Sequence, residues 1–188
     1  MADWIQKIGP VEVTPPARPD AYASLMRSIA YQQLNGRAAA TIFDRFKKLF
    51  PKERFPKPES VLKKSIEELR SAGLSNAKSL AIQDVARKKI EGLIPGKLDH
   101  LSDEEIIETL TQIRGVGPWT VQMFLLFTLG RPDIWPHTDF GVQKGFQVLR
   151  KKRAMPEVKA FLKAGDLWKP HRSTAALYLW RIADWDKK

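Results

Sequence analysis

Apolar residues in this chain recur at intervals of three and four rather than in alternation. Ile106, Ile107, Leu110 and Ile113 are the clearest case, because at 3.6 residues per turn they fall on one face of a helix. Ser102, with Glu105 three positions on, forms a capping box in front of them. A second run, Val121, Met123, Phe124, Leu125, Leu126, Phe127 and Leu129, has almost no polar face, so its helix should be buried on nearly every side. The same periodicity, punctuated by breakers, predicts helices over 20–31, 36–49, 58–64, 66–72, 76–91, 103–112, 119–129, 139–149 and 171–185. Asp20, Asn35, Asn76 and Asp139 suit N-caps, and Gly73 and Gly92 suit the position just past a helix end. Residues 1–19 are interrupted by Gly9, Pro10, Pro15, Pro16 and Pro19 and read as an extended arm anchored by Trp4 and Ile5. The nearest approach to a strand, 4–13, is broken by Gly9-Pro10. The fold class expected is all-α.

Between the helices at 103–112 and 119–129 lies Arg114-Gly115-Val116-Gly117-Pro118. Two glycines so close permit positive φ and leave backbone N–H groups uncovered, so a phosphate oxygen can approach the main chain. Pro118 suits the first turn of the next helix, and the partial positive charge of that helix end favours the same anion. A Gly-x-Gly turn is equally an ordinary helix connection. The residues downstream of it are less ordinary: Asp139 stands twenty positions after Trp119, where a proline-containing loop gives way to a new helix.

Composition narrows the partners. Lys and Arg number 32 against 21 Asp and Glu, a net charge of +11 over 188 residues, which favours a polyanion through phosphate neutralisation and counterion release. Four short basic clusters, 47–48, 63–64, 87–89 and 150–153, read individually as solvated helix ends. With no cysteine, disulfides, thiolate catalysis and cysteine-ligated zinc or iron–sulfur clusters are excluded. His100, His137 and His171 are too dispersed for a zinc site. No apolar run approaches the ~20 residues a membrane span needs, and the N-terminus lacks the pattern of a signal peptide.

Gln112-Ile113-Arg114-Gly115-Val116-Gly117-Pro118-Trp119-Thr120, followed by Trp135-Pro136-His137-Thr138-Asp139-Phe140-Gly141-Val142, resembles the helix-hairpin-helix DNA glycosylases. Within them the likeness is to the alkylpurine branch, the 3-methyladenine DNA glycosylase II type. Ser28-Ile29-Ala30-Tyr31-Gln32-Gln33-Leu34-Asn35 and the stretch from Trp168 to Trp180 match the same branch in order and spacing. The resemblance implies a single glycosylase unit over 1–188 with two helical lobes, about 36–130 and about 1–35 plus 131–188, and a DNA- and base-binding groove between them. The full enzyme type often carries an additional N-terminal α/β domain; none is expected here, and the form expected is compact.

The activity implied is monofunctional hydrolysis: alkylated purines such as 3-methyladenine and 7-methylguanine are flipped from duplex DNA and excised. An abasic site remains, the first step of base excision repair. Asp139 corresponds to the family's catalytic aspartate, although by residue chemistry it is equally an N-cap. The position two after the second glycine holds Trp119, where strand-cutting relatives such as endonuclease III carry a Schiff-base lysine. Trp119, Trp180, Tyr178, Phe140 and Met123 correspond to the base pocket, where stacking and cation–π attraction suit a charged purine. A tryptophan at either position is also a core-packing residue by type.

Leu34 corresponds to the wedge, Gln33 to its alternative and Asn35 to a minor-groove contact; as plain chemistry, Leu34 and Asn35 also read as a helix-end residue and an N-cap. Gly115, Gly117 and Thr120 would grip phosphate, with the Thr120 hydroxyl available. The carbonyls of Thr111, Ile113 and Val116 would hold a structural Na⁺ or K⁺, and no other cofactor is required. The partner expected is double-stranded DNA carrying alkylated bases, engaged by a monomer inside the cell, in the cytoplasm and nucleoid or in a nucleus. Two alternatives stay open: a helix-hairpin-helix module that binds damaged DNA without cutting it, and a glycosylase for deaminated or oxidised bases.

Overall fold

The computed structural model describes residues 1–34, 36–96, 98 and 100–185, and among them every regular element is helical. In chain order these are α1 (Ala2–Ile8), α2 (Ala21–Tyr31), α3 (Gly36–Lys48), α4 (Pro58–Leu62), α5 (Ile66–Ser71), α6 (Asn76–Ile90), α7 (Asp103–Leu110), α8 (Pro118–Phe127), α9 (Phe140–Leu149), α10 (Val158–Ala164) with a 3-10 turn (Gly165–Trp168), and α11 (Arg172–Trp185). No described helix is long and apolar enough to cross a membrane. The chain divides into two compact units, one spanning Arg18–Phe124 and the other made of Met1–Ala17 with the residues from Leu125 onward. Segment 18–34 therefore sits with the middle of the chain, where the lobe boundaries drawn from sequence had grouped it with the C-terminal part. The reason is packing: α2 lies against α6 and α3.

In the Arg18–Phe124 unit, α6 is the element the others share. It packs against α2, α4 and α5, and its Ile82, Val85 and Ala86 are fully buried together with Leu25, Met26 and Ile29 of α2. Caps start these helices largely as their sequences predict. Asp20 accepts from the Ala23 amide, and Ser102 and Glu105 complete their box. Ser65 and Glu68 form a second box. The cap of α6 is Ser75 rather than Asn76, because the Ser75 hydroxyl reaches the Lys78 amide and leaves Asn76 as the first helical residue. Asn35, the remaining N-cap expected, lies outside the described residues.

In the other unit α9 lies so close against α11 that a Cβ on Gly145 would overlap the Leu179 backbone carbonyl. Trp135, Phe146, Phe161 and Trp168 form an aromatic cluster beside this pair, with the Trp135 indole donating to the Phe161 carbonyl. Two helices here were not expected. The N-terminal arm begins as α1, which buries no residue but sets Trp4 edge-on against Trp185 of α11 at 5.8 Å. Helix α10 has a single buried anchor, Phe161, too little to make a period visible.

The loop before α9 is tied to the start of α11. Ser173 donates its hydroxyl to the Arg131 carbonyl and receives the Ile134 amide. Arg172 grips Asp133 twice, Nε to Oδ1 and Nη2 to Oδ2, each at 2.8 Å. These hydrogen bonds hold the Asp133 carboxyl below its ordinary value. A depressed folded pKa means that the contribution to stability is present above the unfolded value, about 3.9, and is lost as pH falls through the folded one. Asp133→Asn is therefore expected to lose about 1–2 kcal/mol at neutral pH, roughly 2–6 °C in Tm, with the gap to wild type shrinking below about pH 4. Thermal melts across pH test this; a gap that persists unchanged through the acid limb would remove the carboxylate from the account.

Candidate active site

The connection from α7 to α8 is a tight hairpin anchored from below by Ile113 and Val116, both buried. The Val116 amide closes the turn on the Ile113 carbonyl at 3.0 Å. Gly115 takes φ +74, and a side chain there would come within 3.0 Å of Ala81 Cβ on α6. Gly117 is not left-handed; it matters because nothing lies within 4 Å of where its Cβ would stand, so the main chain is open to an approaching group. Asp84 of α6 accepts the Arg114 amide at 2.8 Å, which fixes the outer side of the turn.

Thr120 sits in the first turn of α8, where backbone N–H groups have no acceptor inside the helix. Its hydroxyl is not available as expected: the side chain is buried and Oγ1 lies 3.5 Å from Gln32 Nε2. Trp119 is 41% exposed, so α8 is not buried all round. Met123, half-buried and four residues on, shares its face. Thr111 is the C-cap of α7, and its hydroxyl donates to the Ile107 carbonyl.

The turn after α2 lies beside this hairpin. Gln32 Nε2 donates to the Gly115 carbonyl at 2.9 Å. Gln33 comes next at φ +56, a left-handed conformation unusual for a residue with a side chain, and Leu34 stands 41% exposed beyond it. Asn35 is outside the described residues.

Asp139 belongs to the other unit. It is 9% exposed and caps α9, its Oδ1 accepting the Val142 amide at 2.9 Å and the Trp180 indole Nε1–H at 2.8 Å. One carboxylate oxygen thus caps α9 and also meets the indole of α11. Trp180 stacks on Phe127 at 5.7 Å and 29°, and a Cβ on Gly141 would come within 2.6 Å of its ring. The structure therefore brings Asp139 and Trp180 together, with Phe127 and Gly141 as supports that the sequence did not single out. Phe140 is 72% exposed at the start of α9. Tyr178 is not part of the cluster: two residues from Trp180, it projects from another side of α11, is buried, and donates its hydroxyl to the Gly9 carbonyl.

Residues 26–170 match the family described as HhH-GPD superfamily base excision DNA repair protein. The chain is 39% identical over 173 residues to DNA-3-methyladenine glycosylase 1 of Schizosaccharomyces pombe, covering 89% of this chain and 76% of that protein. Its structure is similar to that of a Schizosaccharomyces pombe 3-methyladenine DNA glycosylase in complex with abasic DNA, with TM-score 0.84 and 36% identity over 96% of this chain and 89% of that one. It is also similar to a DNA-3-methyladenine glycosidase from Bacillus halodurans, with TM-score 0.85 and 34% identity over 97% and 83% of the two chains.

Gly141→Ala is expected to push the indole off Asp139, since its methyl would stand 2.6 Å from Trp180 Cδ1 and 2.9 Å from Nε1, and to lower stability by about 1–3 kcal/mol. The indole N–H resonance of Trp180, assigned by its loss in Trp180→Phe, should shift; an unmoved resonance would mean that the ring tolerates the methyl in place.

Proposed function

The chain belongs to the HhH-GPD superfamily of base excision DNA repair proteins, and from that premise we propose that it is a monofunctional DNA glycosylase for alkylated purines, 3-methyladenine and 7-methylguanine. The observation that carries the reading is the carboxylate of Asp139, buried at the start of α9 and held by two N–H donors. Breaking an N-glycosidic bond develops positive charge on the deoxyribose. A carboxylate already oriented, with no rearrangement needed at the moment of reaction, stabilises that charge and directs the attacking water. The relative named DNA-3-methyladenine glycosylase 1 supports the choice of lesion.

Binding follows from charge and main chain. A net charge of +11 draws the chain to DNA, and the amides of Gly115, Gly117 and Thr120 take a phosphate at the positive end of α8. The carbonyls of Thr111, Ile113 and Val116 suit a Na⁺ or K⁺ as neutral oxygen donors, Ile113 retaining one lone pair beside its bond from Val116. Bound there, such an ion would add positive charge to the hairpin. Leu34 fills the gap left by the flipped base, and Trp119 in one unit and Trp180 in the other are each aromatic surface of the kind a cationic purine stacks on. With tryptophan at position 119, no amine stands where a Schiff base would form, so the strand stays intact. The protein acts as a monomer on duplex DNA.

Asp139→Asn is expected to abolish release of 7-methylguanine from methylated duplex DNA while leaving affinity for an abasic duplex in place. Wild-type protein that binds such DNA and frees no base would overturn the enzyme reading in favour of a binding module. Borohydride treatment during turnover should trap no covalent protein–DNA adduct; an adduct through a lysine would overturn the monofunctional assignment.

A further inference from the structure

Helix α2 ends without the glycine that usually lets a chain leave a helix. Instead Gln33 takes the left-handed conformation at φ +56, which crowds the Cβ of a residue with a side chain against its own backbone. The turn is held from both sides. Lys78 of α6 donates its ammonium to the Ala30 carbonyl at 2.9 Å and the Gln32 carbonyl at 2.8 Å, satisfying groups that the helix end leaves unpaired. Burial pulls the Lys78 ammonium below its ordinary value, so these carbonyls stand in for water it has lost. Across the turn, the Gln32 amide donates to the Gly115 carbonyl at 2.9 Å. The same α6 that supplies Lys78 also carries Ala81 beneath Gly115 and Asp84 on the Arg114 amide. One helix thus holds two loops, and Gln32 joins the loops to each other.

We propose that Lys78 and Gln32 are positioning residues for base flipping: together they fix the strained Gln33 turn in register with the hairpin, so that Leu34 is presented at a set distance from the amides that grip the strand. The inference rests on the glycosylase reading for the roles of Leu34 and the hairpin, but the strain, the three hydrogen bonds and the shared helix stand without it. Neither side chain needs to touch DNA. The work they do is to keep the wedge from relaxing when it meets stacked bases. Backbone strain of this kind persists only where the surroundings over-determine it.

The test compares wild type with Lys78→Met, Lys78→Arg and Gln32→Leu on duplexes carrying 7-methylguanine with 2-aminopurine beside the lesion. In Lys78→Met and Gln32→Leu, single-turnover excision should fall about ten- to a hundredfold, the 2-aminopurine signal that reports unstacking should fall with it, and affinity for undamaged duplex should be unchanged. Lys78→Arg, which keeps donors for both carbonyls, should recover much of the loss. The proposal is overturned if excision is unaffected, if it falls while the unstacking signal stays at the wild-type level, or if affinity for undamaged duplex drops in parallel. Gln32 is partly exposed, so Gln32→Leu carries the test should Lys78→Met fail to fold. Wild-type protein that unstacks the lesion and releases no base would sink the glycosylase reading, while the unstacking signal of the variants would still decide the role of Lys78 and Gln32.

Discussion

A carboxylate drawn almost out of water must be hydrogen-bonded, and at Asp139 that requirement settles a good deal of the surrounding architecture. One donor comes from its own helix, the Val142 amide, and a second from α11, the Trp180 indole. The first results from α9 beginning at Phe140. The second needs α11 to lie close against α9 at a particular rotation, which Gly145 permits by letting the Leu179 backbone approach and Gly141 by leaving room for the indole. A Cβ at either glycine would crowd this arrangement, at Gly141 against the Trp180 ring and at Gly145 against the Leu179 backbone. The hydrogen bond from Trp180 to Asp139 therefore depends on two missing side chains.

The other unit reaches a comparable end by different means. There α6 is the common support, and three of its residues serve the two loops: Lys78 for the turn after α2, Ala81 and Asp84 for the hairpin. Their spacing along the helix keeps them within one broad stripe. Loops are ordinarily the mobile parts of a protein. Here the exposed Leu34 and the open main chain at Gly117 rest on buried or hydrogen-bonded neighbours. Groups pre-arranged in this way lose little freedom on contact with a partner.

The N-terminal segment belongs to this logic of support. Tyr178, read from sequence as a pocket aromatic, uses its hydroxyl to hold the Gly9 carbonyl, and Trp4 meets Trp185 at the other end of α11. Pro15 lies so close to Gly130 that a Cβ there would stand 2.5 Å from the proline ring. A segment that buries little surface of its own is thus fastened at three points, which also explains why α1 forms where proline and glycine suggested only an extended arm.

What the chain declares locally is what one or two helical turns can encode. The Ser102 box, the caps at Asp20 and Asp139, apolar periods and the left-handed Gly115 were legible because each depends on neighbours within about four residues. Asp139 stood out by its spacing from the hairpin, and its cap to Val142 confirms its place at the head of a helix. The same local view put the cap of α6 one residue late, missed α1 and α10, and offered the Thr120 hydroxyl to a phosphate although that residue is buried. The contacts that make the two candidate sites are of another order: Trp180 to Asp139 across 41 residues, Lys78 to Ala30 across 48, Gln32 to Gly115 across 83. Nothing in residue type distinguishes Trp180 from Tyr178 or Lys78 from the other lysines. Their roles were decided by which faces pack together, and packing depends on the shape of every surface that meets, which no short stretch of sequence contains.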